Sequence, residues 1–135
     1  MAILPPDVLG SVISKLKADS KVSGVVSTRV TRNKLPANPT YPAIVASYVD
    51  DLGGGDSSTS NYAQARIQCS CYAADDFAAF QLSKYVKKSL HNLKNSVIYG
   101  SVINSIVDMG AVPDGNPDIP VYVYHRDFMV RYLDQ

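Results

Sequence analysis

Between Gln64 and Tyr72 the sequence alternates without a break. Ala65, Ile67, Cys69 and Cys71 fall on one side, and Arg66, Gln68, Ser70 and Tyr72 on the other. A period of two marks a strand buried on one face, because successive side chains point to opposite sides of a sheet. Such a strand needs neighbours beside it and a cover over its apolar face. The rest of the chain must supply both.

The cover is legible first. Asp75 or Asp76 starts a helix predicted to reach about Leu93. At about 100° per residue, Ala78, Ala79, Leu82, Val86, Leu90 and Leu93 line one face, with Gln81, Lys84, Lys88 and His91 opposite. A second amphipathic helix opens at Pro5-Pro6-Asp7 and carries Val8, Leu9, Val12, Ile13 and Leu16 as its stripe. Asp19 or Ser20 caps a further short turn with Val22, Val25 and Val26.

Neighbouring strands are expected at Ser27–Val30 and at Tyr41–Val49, where Pro42 sits near the start and costs least. Asp50–Asn61, rich in Asp, Gly and Ser, reads as a mobile loop. Asn95-Ser96 breaks the long helix. Val102–Met109 and Val121–Leu133 flank a Pro/Gly turn at Pro113–Pro117 and read as a hairpin. The expected fold is α+β: one domain over residues 1–135, an antiparallel sheet of about four to five strands, and two main helices on one face.

The 135 residues carry a net charge of +1, and all 12 acidic residues are Asp. Without Glu, the HExxH zinc proteases, the zinc deaminases and Glu-closed calcium loops are excluded. Asp favours helix caps and turns, because its short carboxylate reaches its own backbone. Near-neutral charge argues against an obligate nucleic-acid binder. No run approaches the ~18–20 apolar residues of a membrane span, and the start lacks the pattern of a signal peptide, so no membrane partner is expected. Cys69 and Cys71, two apart on one strand face, cannot form an ordinary disulfide with each other, which fits a reducing compartment.

Several residue sets invite chemistry. Cys69-x-Cys71 offers half a zinc site, but the alternation already makes both small core residues, and no metal or cofactor is expected. Gly53-Gly54-Gly55 lacks the Gly-Lys-Ser/Thr ending of a phosphate loop and stands among Asp50, Asp51 and Asp56, which repel phosphate. His125 and Asp127 share a strand face, as in part of a hydrolase triad, yet no serine sits in a GxSxG elbow. Lysines and arginines gather early (Lys15, Lys17, Lys21, Arg29, Arg32, Lys34) and on the long helix (Lys84, Lys87, Lys88, Lys94). They make either a solvated face or a basic patch for nucleic acid. No residue set asks for an enzyme.

One mismatch stands out. Phe77 and Phe80 fall on or beside the Lys84/Lys88 side, away from the apolar stripe. Either they join a subunit interface, where aromatics are enriched, or a loop or the other helix covers them. Exposure of the two rings in a single subunit decides between these. The candidate interface is Phe77, Phe80, Lys84 and Lys88, with Leu52, Gly53, Gly54 and Gly55 of the loop.

These elements together resemble the small phage tail-completion, or tail-terminator, proteins. Leu16-Lys17-Ala18-Asp19 through Val25-Val26 to Arg29-Val30 looks like their opening helix, turn and Arg-bearing strand. Pro39-Thr40-Tyr41-Pro42-Ala43-Ile44-Val45 is similar to their second strand. Ala65–Tyr72 running into Asp75-Asp76 and an Ala-rich helix resembles their middle, and Val121–Tyr132 their last strand. The likeness spans roughly Val8 to Tyr132.

The resemblance implies a structural virion protein, assembled in the bacterial cytoplasm and resident in the tail or neck. It implies a homo-oligomeric ring, expected to be a hexamer, that caps the tail tube, stops its growth and docks the head–tail connector. Genome DNA passes the lumen without specific binding, and the family has no catalytic residues to carry over. The alternative is a small α+β module binding a ligand or nucleic acid through the basic second helix.

Overall fold

The computed structural model describes residues 7–54, 62–115 and 120–133. Three helices and six strands follow in the order α1 (Val8–Ala18), α2 (Ser20–Val26), β1 (Val30–Arg32), β2 (Ala43–Gly54), β3 (Tyr62–Ala73), α3 (Asp76–Leu90), β4 (Lys94–Ile98), β5 (Ser101–Gly115) and β6 (Tyr122–Leu133). The strands form one sheet in the order β1-β2-β3-β6-β5-β4. Every pairing is antiparallel except β1 with β2, which is parallel.

Aspartates begin all three helices. Asp7 accepts from the Gly10 amide, Asp19 from those of Lys21 and Val22, and Asp75 from that of Ala78. Each satisfies amides that the first turn leaves without partners. The stripes then dock on one sheet face. Leu9, Val12 and Leu16 of α1, Val22 and Val26 of α2, and Leu82, Val86 and Leu90 of α3 share one core with Ile44, Ile67, Cys69, Cys71, Ile106, Phe128 and Val130.

The alternation of β3 sets the register: Ala63, Ala65, Ile67, Cys69 and Cys71 are all buried beneath the helices. In β6 the even positions, Arg126, Phe128, Val130 and Tyr132, are the buried ones. The odd positions, including His125, Asp127 and Met129, face away from the helices beside Ser70, Gln68 and Arg66.

The sheet differs from the expectation in number and in kind. Its first strand is Val30–Arg32, displaced from Ser27–Val30 because Ser27 ends α2 with φ 56. It lies parallel to β2, so the sheet is mixed. The long helix stops at Leu90, not Leu93, with Asn92 at φ 68, and Asn95-Ser96 lies inside a strand, β4. A two-residue turn, Tyr99-Gly100, joins β4 to β5 with both residues at positive φ, the geometry that matches the twist of paired strands.

Two more boundaries move. β2 continues through Gly54, so the predicted loop begins later than Asp50, and its remainder from Gly55 to Asn61 lies outside the described residues. β5 continues through Pro113 and Asp114 to Gly115.

The edges of the sheet are short and broken. β1 covers only Ile44–Ala46 of β2, and β4 reaches only Ser101–Ser105 of β5. Beyond those points β2 shifts register twice, between Tyr48 and Asp50 and between Asp51 and Gly53. In β5, Met109 and Gly110 oppose the single Asp127, with Gly110 at φ 97, and Pro113 follows.

Candidate functional site

Two surfaces lie at the same end of the sheet, on opposite faces. The first is the start of α3. The helix begins directly after β3 ends, so Phe77 and Phe80 stand beside the first residues of β6. Phe77 is 65% exposed and Phe80 38%. Phe80 packs edge-on to Tyr124, ring centroids 5.6 Å apart, and the Lys84 ammonium lies 5.3 Å from the Phe80 centroid. Tyr124 donates from its hydroxyl to Asp76 at 3.1 Å. Among the described residues Phe77 is left largely uncovered, and Phe80 is partly sheltered, with Tyr124 against its ring.

Lys88 is exposed on the same helix, whereas Lys87 reaches Asp108 at 3.9 Å. Leu52, Gly53 and Gly54 belong to the far end of β2, paired near Gln64 and Ala63. The structure therefore places them at the opposite end of the strands from Phe77. Gly55 lies outside the described residues.

The second surface is on the face without helices. The segment before β2 folds back so that Leu35 and Tyr41 meet Tyr72, Val121, Val123, Asp114 and His125 around a cavity of about 320 Å³. The Tyr41 and Tyr72 rings stand 6.3 Å apart. Burial raises the Tyr72 phenol above its ordinary pKa, and the nearby Tyr41 and Asp114 act in the same direction. Sequence reasoning missed this cavity. Its only signal was the clustering of tyrosines and valines at strand ends.

Next to the cavity, His125 bridges two oxygens. Its Nδ1 is 2.7 Å from Ser70 Oγ, and its Nε2 is 3.3 Å from Asp114 Oδ2. Asp127, the expected partner of His125, is engaged elsewhere: Arg66 Nε donates to it at 2.9 Å and Gln68 at 3.0 Å. In a serine hydrolase the serine meets Nε2 and the aspartate meets Nδ1. Here the nitrogens are exchanged. Ser70 also sits mid-strand between β2 and β6, where ladder pairing occupies the amides an oxyanion hole would need. The geometry holds the imidazole in place.

On the helix-covered face, Arg126 and Asp108 pair at 2.8 Å with side chains 5% and 10% exposed. The amide of Asp108 donates to His91 Nδ1 at 3.0 Å, so His91 ties the end of α3 to β5. Cys69 and Cys71 are free and buried. Loss of solvation pushes the Cys69 thiol up to about 12 and the Cys71 thiol well above its ordinary value. Among the described residues no group of three or more His, Cys, Asp or Glu side chains is placed to hold a metal, and no helix is long and apolar enough to cross a membrane.

No protein-family model matches the chain, and no curated protein does. Among solved structures the chain is similar to one from a "Virion of native gene transfer agent (GTA) particle", with a TM-score of 0.75 and 16% identity over 95% of each chain. The two share a fold along nearly their whole lengths.

Proposed function

We propose that this chain is a structural virion protein that caps a tail tube as a homo-oligomeric ring, ends tube polymerisation and presents the docking surface for the head–tail connector. The observation that carries the reading is the shared fold, at a TM-score of 0.75 over 95% of both chains, with a component of a gene transfer agent virion. The resemblance of the sequence to tail-completion proteins points the same way. In this reading the ring, a hexamer, sits at the tail or neck after assembly in the host cytoplasm. DNA passes its lumen without specific contacts, and no reaction is catalysed.

The physical form suits the role. A capping ring needs a rigid body and a contact between unlike surfaces that closes by rotation. The packed sheet and helices supply the body, and the exposed Phe77/Phe80 surface supplies one side of a contact.

Electron microscopy of tail tubes assembled with and without the protein tests the proposal. Tubes of regulated length bearing a ring at one end are expected with it, and overlong tubes without it. Identical tubes in both preparations would overturn it. Binding of nucleic acid through the basic helix has less support, since Lys87 is drawn to Asp108 and Lys84 lies over Phe80. Salt-sensitive DNA binding by the isolated protein would favour that alternative.

A further inference from the structure

The ring reading leaves open which surfaces meet, and the inference here rests on that reading. We propose that copies of this chain join head to tail by seating Phe77 of one copy in the Tyr41–Tyr72 cavity of the next.

The two halves fit in size and chemistry. Phe77 is the most exposed aromatic ring among the described residues, at 65%. The cavity holds about 320 Å³. An apolar cavity of roughly half that volume holds a benzene molecule. Its Tyr41 and Tyr72 walls offer the offset and edge-on contacts that aromatic rings prefer. Charged side chains stand at each half. Asp76 and Lys84 bracket Phe77 and Phe80, while Asp114, its side chain 71% exposed, stands in the cavity lining beside His125 and can meet a cation such as Lys84.

Position decides the geometry. Phe77 and the cavity lie at the same end of the strands but on opposite faces of the sheet, because α3 starts where β3 ends and the register partners Tyr72 and Val123 line the cavity from the face without helices. A contact between two unlike surfaces repeats from copy to copy, and it closes into a ring where each step adds rotation without rise. The broken edges of the sheet favour joining by faces.

The test uses full-length Gln81→Cys and Leu35→Cys proteins, which keep the Phe77 ring and both tyrosines, purified separately and mixed under oxidation. Gln81 is exposed one helical turn beyond Phe77 on the same face, and Leu35 lines the cavity. The native thiols, Cys69 and Cys71, are buried and do not compete. A disulfide forms only where the two Cβ atoms come close, so the mixture should give covalent dimer roughly tenfold above a control pairing Gln81→Cys with Val97→Cys on the edge strand. The Gln81→Cys/Leu35→Cys double variant should give a ladder ending at the ring number. Val121→Cys, also in the cavity lining, replaces Leu35→Cys if the latter misfolds.

No excess over the control overturns the proposal. If wild type still caps tubes in that case, the ring reading survives alone; if it does not, both fall. A cross-link without capping keeps the contact and removes the ring. Capping that survives Phe77→Ala but is lost in Val123→Trp identifies the tube or connector as the occupant, and also overturns the proposal.

Discussion

Arg126 and Asp127 are neighbours in β6, and each belongs to an arginine–aspartate pair, one on either face of the sheet. Arg126 pairs with Asp108 beneath α3, where the side chains are 5% and 10% exposed. Asp127 pairs with Arg66 on the face without helices, where the arginine side chain is 42% exposed and the aspartate 14%. The chemistry is the same and the surroundings are not. Under the helices neither charge can turn to water, so Arg126 depends on Asp108, while Asp108 has Arg126 and, at 3.9 Å, Lys87. On the open face Arg66 can be solvated if its partner is lost, so the pair adds little to stability and more to the shape of the surface.

The sharpest way to break this comparison is to remove one aspartate from each face. Asp108→Ala leaves the Arg126 guanidinium buried without its partner and should cost about 3–5 kcal/mol in urea unfolding. Asp108→Leu combined with Arg126→Met should recover most of that loss, since an apolar pair of similar volume is often as stable. Asp127→Ala should cost about 1 kcal/mol, the value of hydrogen bonds whose donors can turn to solvent. Equal costs on the two faces would show that Arg126 reaches water and would undo the contrast.

A third pair, Arg32 with Asp7, lies on the surface at 2.8 Å and extends the series to side chains 45% and 57% exposed. The hydrogen bond from Arg32 holds the Asp7 carboxyl below its ordinary pKa, despite an opposing effect of partial burial. The folded state therefore favours the ionised form. Its contribution is complete above the ordinary value of about 4 and disappears as pH falls through the lowered one. Asp7→Asn keeps the helix cap and removes the charge. It should cost roughly 0.5 kcal/mol at neutral pH and flatten the acid limb of a stability–pH curve by that amount. The smallest effect is expected at Phe77. Phe77→Ala should change unfolding by less than about 0.5 kcal/mol, as at other exposed sites, even where it abolishes assembly.

The elements most visible in the sequence were those whose apolar period is long and undisturbed. The β3 alternation, the α1 stripe and the Asp caps all appear where the pattern put them, because burial on one face leaves little freedom of register. The end of α3 was obscured by Leu93, which continues the helical spacing after Leu90 yet packs on the core from beyond the helix. That hid β4. The three residues of β1 are too few to show any period, and a parallel pairing leaves no local turn to signal it.

The Arg126–Asp108 pair had one legible hint, an aspartate within the apolar run Val102–Met109. Recognising it required knowing that a bulge at Met109-Gly110 keeps Asp108 and Arg126 on the same face. For the candidate interface, the mismatch of Phe77 and Phe80 with the helix stripe was a sound guide to exposure. Leu52–Gly54 were grouped with them only by their flexibility in sequence, and the topology sends them to the other end of the strands.

The two register shifts in β2, the bulge and Pro113 in β5, and the brevity of β1 and β4 act as stops on templating. A chain that meets copies of itself at high local concentration faces a competing outcome: strand added to strand, sheet onto sheet, without limit. Among the described residues, the exposed edges of β2 and β5 are interrupted by these shifts and offer a newcomer little straight, regularly spaced backbone to copy. Self-association is thereby confined to side-chain surfaces, which can saturate, and an assembly built from them can be finite.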